Sequence, residues 1–249
     1  MIELPYVPNG GSAEQLLSLA RADGFLTGRC ESDQTPYIPN LGEGSLELRD
    51  GHFRRDLQRR MRKARARGPV LLKRLTTADS TALRSFYELE SSGWKGKNNT
   101  SIASSAATRR FYDEIASAGA RHGYLSLYLL HVGDTVAAGH FGLAYNGRYY
   151  SVKVAYNEDY ADCGPGHLIV QAILGDLVER EFEEYDFLGP WMEWKAKWAG
   201  QVRGHAFCYV FRPGLYGTML HAAKLKLIRR LRSISRHPSI AYVRSRLHT

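Results

Sequence analysis

The sequence predicts a mixed α/β (α+β) fold, in which a mostly antiparallel sheet is flanked by helices. Two apolar strand patterns, Val136–Ala144 and Arg148–Tyr156, are joined by Asn146-Gly147. This dipeptide favours a hairpin, because both central residues of a type I′ turn need positive φ. After a glycine-rich loop, apolar residues at helical spacing predict a helix from His167 to about Glu183, and Tyr185–Leu188 predicts a further short strand.

The first 50 residues are loosely patterned. A short helix is predicted over Ser12–Ala22, with Ser12 as its N-cap. The segment Gln34–Pro39 is expected to be extended and rich in turns. A second helix is predicted from about Asp50, and Gly68-Pro69 is a strong signal for its end.

The net charge of +9 is concentrated in two segments. Arg54–Arg67 holds eight bases and one acid, and His221–Thr249 holds eight bases and no acid. Without these segments 18 bases and 24 acids remain, so the rest of the chain is mildly acidic. The first segment carries a thin apolar stripe, and its basic faces indicate either a solvated surface or contacts to coenzyme A phosphates, an anionic substrate, RNA or membrane. The stripe consists of Phe53, Leu57, Met61 and Ala64.

The middle of the chain alternates strand and helix patterns. A polar loop there holds Trp94 and Lys95, a combination that suits the rim of a pocket, although Trp94 equally fits a core residue at a helix end. The predicted elements are a strand at Pro69–Leu75, helices at Thr77–Gly93 and Ser104–Gly119 (Phe111, Tyr112 and Ile115 inward), and strands at Tyr124–Val132 and Thr135–Leu143, which form a three-stranded meander with Arg148–Tyr156.

The C-terminal segment predicts a strand at His205–Phe211 and then a basic amphipathic helix. Leu220, Leu227 and Leu231 fall on one side of this helix, and Pro238 begins a short final helix. Such a segment either lies on an anionic membrane surface or docks on the protein with a solvated basic face.

Composition limits the class of protein. An apolar content of 44% and a charged content of 24% are ordinary for a globular domain, and no apolar run approaches the ~18 residues of a membrane span. The N-terminus lacks the features of a secretory signal, so a cytoplasmic protein is expected. Cys30, Cys163 and Cys208 are scattered, which indicates a reducing compartment and neither a disulfide framework nor a metal site.

The loop before the helix at His167 carries the chemistry. A helix that opens at glycines presents unpaired N–H groups and the positive end of its dipole, which together favour an anion such as a phosphate. Gly164 and Gly166 allow close approach, and Pro165 gives up no needed donor. A plain helix start with a tight turn is the alternative interpretation, because the loop matches neither a Walker A motif nor GxGxxG.

The string YYSVKVAYNEDYADCGPGHLIVQAILGDLVEREFEEYDFLG, followed by Lys195-x-x-Trp198, resembles the BioF2-like branch of the GNAT acetyltransferase superfamily. That branch includes cellulose-biosynthesis (CelD/BcsL-type) acetyltransferases and is related to Fem-type aminoacyl transferases. Gly164 stands where serine is usual, and the Glu90…Trp94-Lys95-Gly96 element also resembles the family. The resemblance implies a GNAT fold in which two strands splay apart, with an acyl thioester in the gap and its pyrophosphate on the glycine loop.

The resemblance also implies the site residues. His140 is expected as a base or as a core histidine, Lys153 as a catalytic residue or as a partner of Asp186, and Cys163 as a buried thiol rather than a nucleophile. The candidates are His140, Lys153, Tyr156 and Asp186 for catalysis; Cys163, Gly164, Pro165, Gly166, His167 and Leu168 for the cofactor; and Glu90, Trp94, Lys95, Lys195 and Trp198 for the substrate, with no metal ligands.

The expected organisation is an N-terminal remnant of a first lobe (residues 1–68), a catalytic domain (69–212) and basic C-terminal helices (213–249). The expected function is transfer of an acyl group from acetyl-CoA or another acyl-CoA to a small molecule or a saccharide of an envelope or exopolysaccharide precursor. Two alternatives stay open: a Fem-like transferase that uses aminoacyl-tRNA, and a non-catalytic GNAT relic that binds RNA or membrane through its basic helices.

Overall fold

The computed structural model describes residues 1–42, 44, 51–92 and 101–235, with side chains as far as residue 227. The chain forms two compact units, one of Met1–Thr35 with Arg203–Thr249 and one of Pro36–Val202. The domain boundaries near residues 68 and 212 stay a prediction from the sequence. The C-terminal helix predicted after Pro238 and the loop with Trp94 and Lys95 lie outside the described residues.

The helices and strands are numbered in chain order. In the described residues they are β1 (Ile2–Pro8), α1 (Ser12–Ala22), β2 (Leu26–Pro39), α2 (Gly51–Arg67), β3 (Val70–Leu75), α3 (Ser80–Ser92), α4 (Ala106–Arg121), β4 (Leu125–Val132), β5 (Thr135–Tyr145), β6 (Arg148–Tyr156), α5 (Pro165–Glu179), β7 (Glu184–Asp186), α6 (Glu193–Ala196), β8 (Gln201–Phe211) and α7 (Leu215–Ser235), with 3-10 helices at Ile102–Ser104 and Glu158–Cys163.

The first unit contains β1, β8 and most of β2, with β1 antiparallel to β8. Leu17 of α1 packs in one cluster with Cys208 and Val210. On α7, His221 meets the ring of Phe211 at 5.1 Å, and the Lys224 ammonium lies 5.1 Å from the ring of Tyr209. Because side chains alternate along a strand, α1 and α7 cover opposite faces of β8.

The second unit has the strand order β2-β7-β6-β5-β4-β3, in which β6 and β7 are parallel and the other pairs are antiparallel. The predicted meander of β4, β5 and β6 is confirmed. Asn146 and Gly147 have φ of 49° and 70°, as the predicted turn requires. The predicted fold class, a mostly antiparallel sheet flanked by helices, is therefore confirmed.

Each face of this sheet has its own apolar core. The helices α2 and α5 cover one face, where Leu57 and Ile169 are fully buried beside Tyr149 and Tyr185. The helices α3 and α4 cover the other face, where Phe86 packs near Phe141. The stripe predicted on the basic helix is confirmed, since Phe53, Leu57 and Ala64 are buried and Met61 packs against them.

Three local predictions differ from the structure. Gly11 rather than Ser12 is the N-cap of α1. Phe111, predicted to face inward, is exposed, because α4 turns Tyr112 and Ile115 toward the core instead. The strands β1 and β2 were not predicted, because prolines and polar residues interrupt their patterns. None of the helices in the described part of the chain is long and apolar enough to cross a membrane.

Candidate active site

The pairing between β6 and β7 ends long before β6 does. Its register runs from Arg148↔Glu184 to Tyr150↔Asp186, whereas β6 continues to Tyr156. A register shift against β5 at Phe141/Gly142 leaves Val152 as an extra residue in β6, which is a β-bulge. Bulges bend a strand and are common beside active sites. The β6–β7 ladder therefore ends with β7 itself, and β6 continues past it at the place where the resemblance implies a gap between splayed strands.

The glycine loop follows the end of β6. Gly164 caps α5 with φ 57° and ψ 55°, the left-handed conformation that glycine adopts at little cost, and Pro165 takes the first helical position. The N–H groups of His167 and Leu168 point back to the Gly164 carbonyl at 2.9 Å and 3.3 Å. The backbone donor at the tip of the helix is therefore that of Gly166.

Arg60 of α2 lies on this loop. A Cβ atom at position 164 would come within 2.9 Å of the Arg60 Cζ and 3.1 Å of its Cδ, so only glycine leaves room for this side chain. The Arg60 Nε donates to Asp56 at 2.6 Å, which fixes the guanidinium in place. A Cβ at Gly166, by contrast, would meet only the Tyr156 ring, at 3.6 Å. A guanidinium and a helix N-terminus thus converge beside an accessible glycine, which is an environment for an anion.

A second contact holds the loop against α2. Arg67 donates to the carbonyl of Asp159 at 2.8 Å, pairs with Asp162 at 3.0 Å, and stacks on the ring of Tyr160 at 4.9 Å. The Cys163 thiol lies 3.6 Å from the Asp162 carboxylate, and burial raises its pKa, so it is a packed thiol rather than an exposed nucleophile. These contacts use the basic helix to fix the loop geometry.

His167 lies in an aromatic cluster next to the loop. The indole N–H of Trp198 donates to the His167 Nδ1 at 3.1 Å, and the ring of Phe53 packs edge-on against both side chains. Burial lowers the pKa of His167 to about 4, and the charge of Arg60 acts in the same direction. The imidazole is therefore neutral at neutral pH, with its proton on Nε2 because Nδ1 accepts.

Lys153 belongs to the other face of the sheet. Its ammonium pairs with Glu90 of α3 at 2.6 Å, and the Glu90 side chain is fully buried. The second carboxylate oxygen of Glu90 accepts from the N–H of Ile102 at 2.6 Å. Asp186 is the partner expected for Lys153 from the sequence, but the structure gives this role to Glu90. No periodicity links residues so distant in the chain, so this pair could not be read from spacing.

His140 is fully buried inside a group of hydroxyls. Its Nδ1 lies 2.8 Å from the Tyr149 hydroxyl, and its Nε2 lies 3.0 Å from Ser151 and 3.1 Å from Tyr185. Both ring nitrogens thus have hydrogen-bond partners inside the core. This geometry matches the core histidine that the sequence analysis weighed against a catalytic base.

Asp186 and Lys195 organise the turn after β7. The Asp186 carboxylate accepts from the N–H of Leu188 at 2.8 Å. The Lys195 ammonium donates to the carbonyls of Leu188 at 2.6 Å and Pro190 at 3.1 Å. Burial lowers the pKa of Lys195 to about 8, against the opposing effect of the Asp186 charge. Both side chains thus stabilise the backbone of the turn after β7.

The predicted site residues consequently divide between two surroundings. The loop, His167 and the exposed Tyr156 lie together, whereas Lys153 and Glu90 lie on the opposite face. Arg60 and Asp56 were not named from the sequence, although the basic helix that carries them was. Within the described residues no group of three or more His, Cys, Asp or Glu side chains could hold a metal ion.

A mixed sheet in which β6 extends past its parallel partner β7, beside a glycine-capped helix, is the arrangement expected of a GNAT-type transferase. Residues 51–196 match the family model of the acetyltransferase (GNAT) domain, and these are more than half of the 249 residues. The chain therefore belongs to this family of acyltransferases, as the resemblance implied.

Solved structures agree on the fold. FemX matches with a TM-score of 0.60 and 15% identity, covering 84% of this chain and 71% of FemX. A C-terminal domain assigned to a lysylphosphatidylglycerol synthetase of Agrobacterium fabrum matches with a TM-score of 0.58 and 14% identity, covering 90% and 71%. L-PGS from Bacillus licheniformis matches with a TM-score of 0.53 and 9% identity, covering 92% and 74%. No curated protein matches this sequence.

Proposed function

We propose that the protein is an acyl-CoA-dependent acyltransferase of the BioF2-like branch. It moves an acyl group, acetyl in the simplest case, to an amine or hydroxyl of a small molecule or of an envelope or exopolysaccharide precursor. One observation carries the proposal: the Arg60 guanidinium and the N-terminus of α5 converge at Gly164, close to the end of β6 that extends past its ladder with β7.

The loop fits the pyrophosphate of an acyl-CoA. A helix of 15 residues supplies its N-terminal dipole and the N–H of Gly166, and Arg60, although paired with Asp56, adds guanidinium donors. Asp56 holds Arg60 from the side of α2, so the guanidinium does not have to be ordered when the anion binds. The acyl-CoA supplies the activated thioester, and the chain orients it.

Tyr156 is the member of the catalytic set that we assign to the leaving thiolate. It is exposed, it ends β6, and its ring borders Gly166. A phenol there donates a proton to the sulfur as the thioester breaks. Lys153, with its ammonium held by Glu90, and the buried His140 are assigned a positioning role for β6, while Trp94 and Lys95 remain predicted substrate contacts.

Thermal unfolding with acetyl-CoA tests this proposal, with free CoA as comparator. A ligand at about 100 times its Kd stabilises a fold by about 2.7 kcal/mol, which is a shift of a few degrees at this size. The variant Gly166→Leu places a side chain at the tip of α5 and should abolish the shift. Its matched control is Gly175→Leu, in the same helix, where a Cβ meets nothing within 4 Å. If acetyl-CoA raised the melting temperature of both variants equally, its pyrophosphate would not bind at this loop.

A second candidate function is transfer from aminoacyl-tRNA, and one surface favours it. Six arginines of α2 are exposed, and four of them (Arg54, Arg55, Arg62 and Arg65) share one side along about 16 Å of helix. Guanidinium groups in such a row bind the phosphates of a nucleic acid strand.

Binding of tRNA measured over a range of salt concentrations tests this candidate. If the arginine row holds tRNA, the logarithm of the affinity should fall steeply with the logarithm of the salt concentration. The triple variant Arg54→Gln/Arg62→Gln/Arg65→Gln should reduce that slope by about two to three units while leaving acetyl-CoA binding unchanged. A slope that does not change in the variant would exclude this surface.

A further inference from the structure

The C-terminal helix α7 is docked by one side. Its Leu225 fits against Gly28 of β2, where a Cβ would come within 2.9 Å of the Leu225 Cδ2. The ring of His221 lies 3.2 Å from the carbonyl of Thr27 and meets Phe211 edge-on. The Lys224 ammonium lies 3.3 Å from Glu3. The residues that make these contacts are the half-buried ones of the helix. The contacts fix the orientation of α7 on the first unit.

The outer side of α7 is apolar. At about 100° per residue, its exposed positions between 215 and 227 fall within one arc of about 180°, with Thr218 at one edge. A helix docked on a protein surface normally presents polar residues to solvent. In α7 most of the large solvent-facing side chains are apolar instead. The large apolar side chains of the arc are Leu215 (82% exposed), Tyr216 (79%), Met219 (65%) and Leu227 (55%), and Thr218, Ala222, Ala223 and Lys226 complete it.

The positive charge of the C-terminal segment indicates which kind of surface binds this arc. The sequence from Arg212 to Thr249 contains nine Arg or Lys residues and no acid. Two copies of α7 that met through their outer sides would bring like charges together, which opposes self-association. An anionic surface with an apolar interior matches both features, because basic side chains meet headgroups while leucine, tyrosine and methionine enter the acyl boundary.

We propose that the outer side of α7 binds the surface of an anionic lipid bilayer, with the helix axis in the plane of the interface. The occupant is the bilayer itself, and no helix needs to cross it. Leu215, Tyr216 and Met219 form the inserted edge, and Lys226, on the same side about 10 Å farther along the axis, reaches the headgroups. The contact brings the first unit to a membrane independently of the identity of the acyl donor.

Cosedimentation of the full chain with lipid vesicles tests the proposal. Binding is expected to vesicles of phosphatidylcholine with about a quarter phosphatidylglycerol, to weaken with added salt, and to be much lower with phosphatidylcholine alone. The triple variant Leu215→Ser/Tyr216→Ser/Met219→Ser should lower the partition coefficient by about tenfold or more, because burial of apolar area is lost. Its melting temperature should stay close to that of the parent, because these side chains are exposed.

The matched control is Leu16→Ser/Leu19→Ser, which changes two exposed leucines of α1 on the opposite face of β8. This control should bind vesicles as the parent does. The proposal is overturned if the parent does not bind anionic vesicles at low salt, or if the triple variant binds as the parent does. A parent chain that is dimeric without lipid, and a triple variant that is monomeric, would overturn it in favour of a second copy.

Discussion

The helices α2 and α7 are both basic and both amphipathic, yet they present opposite sides to their surroundings. In α2 the apolar stripe is inside, with Leu57 fully buried, and the exposed side consists of arginines and other polar residues. In α7 the half-buried side includes His221 and Lys224, and the exposed side carries Leu215, Tyr216 and Met219. Two segments of similar charge thus offer water very different surfaces.

The difference shows that net charge does not define the ligand of a helix. The outer side of α2 has no large apolar side chain to insert into a bilayer, so it suits phosphates, and its inner side places Arg60 on the glycine loop. The outer side of α7 has the apolar area that membrane insertion requires. The location of the apolar stripe, and not the number of arginines, separates the two roles.

The largest expected effect is on stability, from Leu57→Ala in α2. Leu57 is fully buried in the core that also contains Ile169, so the substitution leaves a cavity and should cost about 3 kcal/mol of unfolding free energy. Met219→Ala in α7 is the counterpart and should cost less than about 0.5 kcal/mol. Chemical denaturation of both variants measures the difference. Similar losses would mean that the outer side of α7 is packed against protein.

A smaller effect is expected in the pH dependence of unfolding, through His167. The folded-state pKa of about 4 lies below the ordinary value of 6.5, so the unfolded chain binds more protons between these values. Stability is therefore complete above about pH 6.5 and falls as the pH drops toward 4, by up to about 2 kcal/mol after allowance for solvent screening.

The variant His167→Asn tests this origin, because an amide oxygen still accepts from the Trp198 indole but does not titrate. Denaturation curves collected between pH 4 and pH 7 should show a shallower slope in this variant than in the parent. If the two slopes coincide, other groups cause the loss of stability in acid, and protonation of His167 has no measurable effect on the free energy of unfolding.

The smallest expected effect is on coenzyme A binding, where two nearby arginines of α2 should differ. Arg60→Ala removes the guanidinium on Gly164 and should weaken coenzyme A binding by about tenfold, the loss of one charge-assisted hydrogen bond. Arg62→Ala changes an exposed side chain of the same helix and should leave Kd within about twofold. Isothermal titration with coenzyme A compares them. Equal losses would indicate a diffuse electrostatic effect rather than a site at the loop.

Local sequence patterns predicted much of the fold. The Asn146-Gly147 turn, the three-stranded meander and the glycine start of α5 were all predictable, because turn residues and strand alternation act between neighbours in sequence. The strands β1 and β2 were not, since their residues owe their extended conformation to pairing with distant strands.

The candidate site was predictable in part. The glycine loop and the basic helix were both identified, but their contact at Gly164 and Arg60 was not, because it joins segments about 100 residues apart. Lys153 was identified as a catalytic residue or a partner of Asp186, while its actual partner Glu90 became evident only from the packing of α3 on β6. Sequence spacing defines the face of an element but not its neighbour on another element.

The sequence by itself determined the class of fold, the position of the glycine loop and the presence of two basic amphipathic helices. Each of these depends on interactions within a turn or a few turns of chain, where backbone geometry fixes the outcome. The tertiary structure alone decided which side of each helix is buried and which carboxylate holds Lys153. Those outcomes depend on burying apolar area and pairing charge between distant segments, for which many arrangements satisfy the same local pattern.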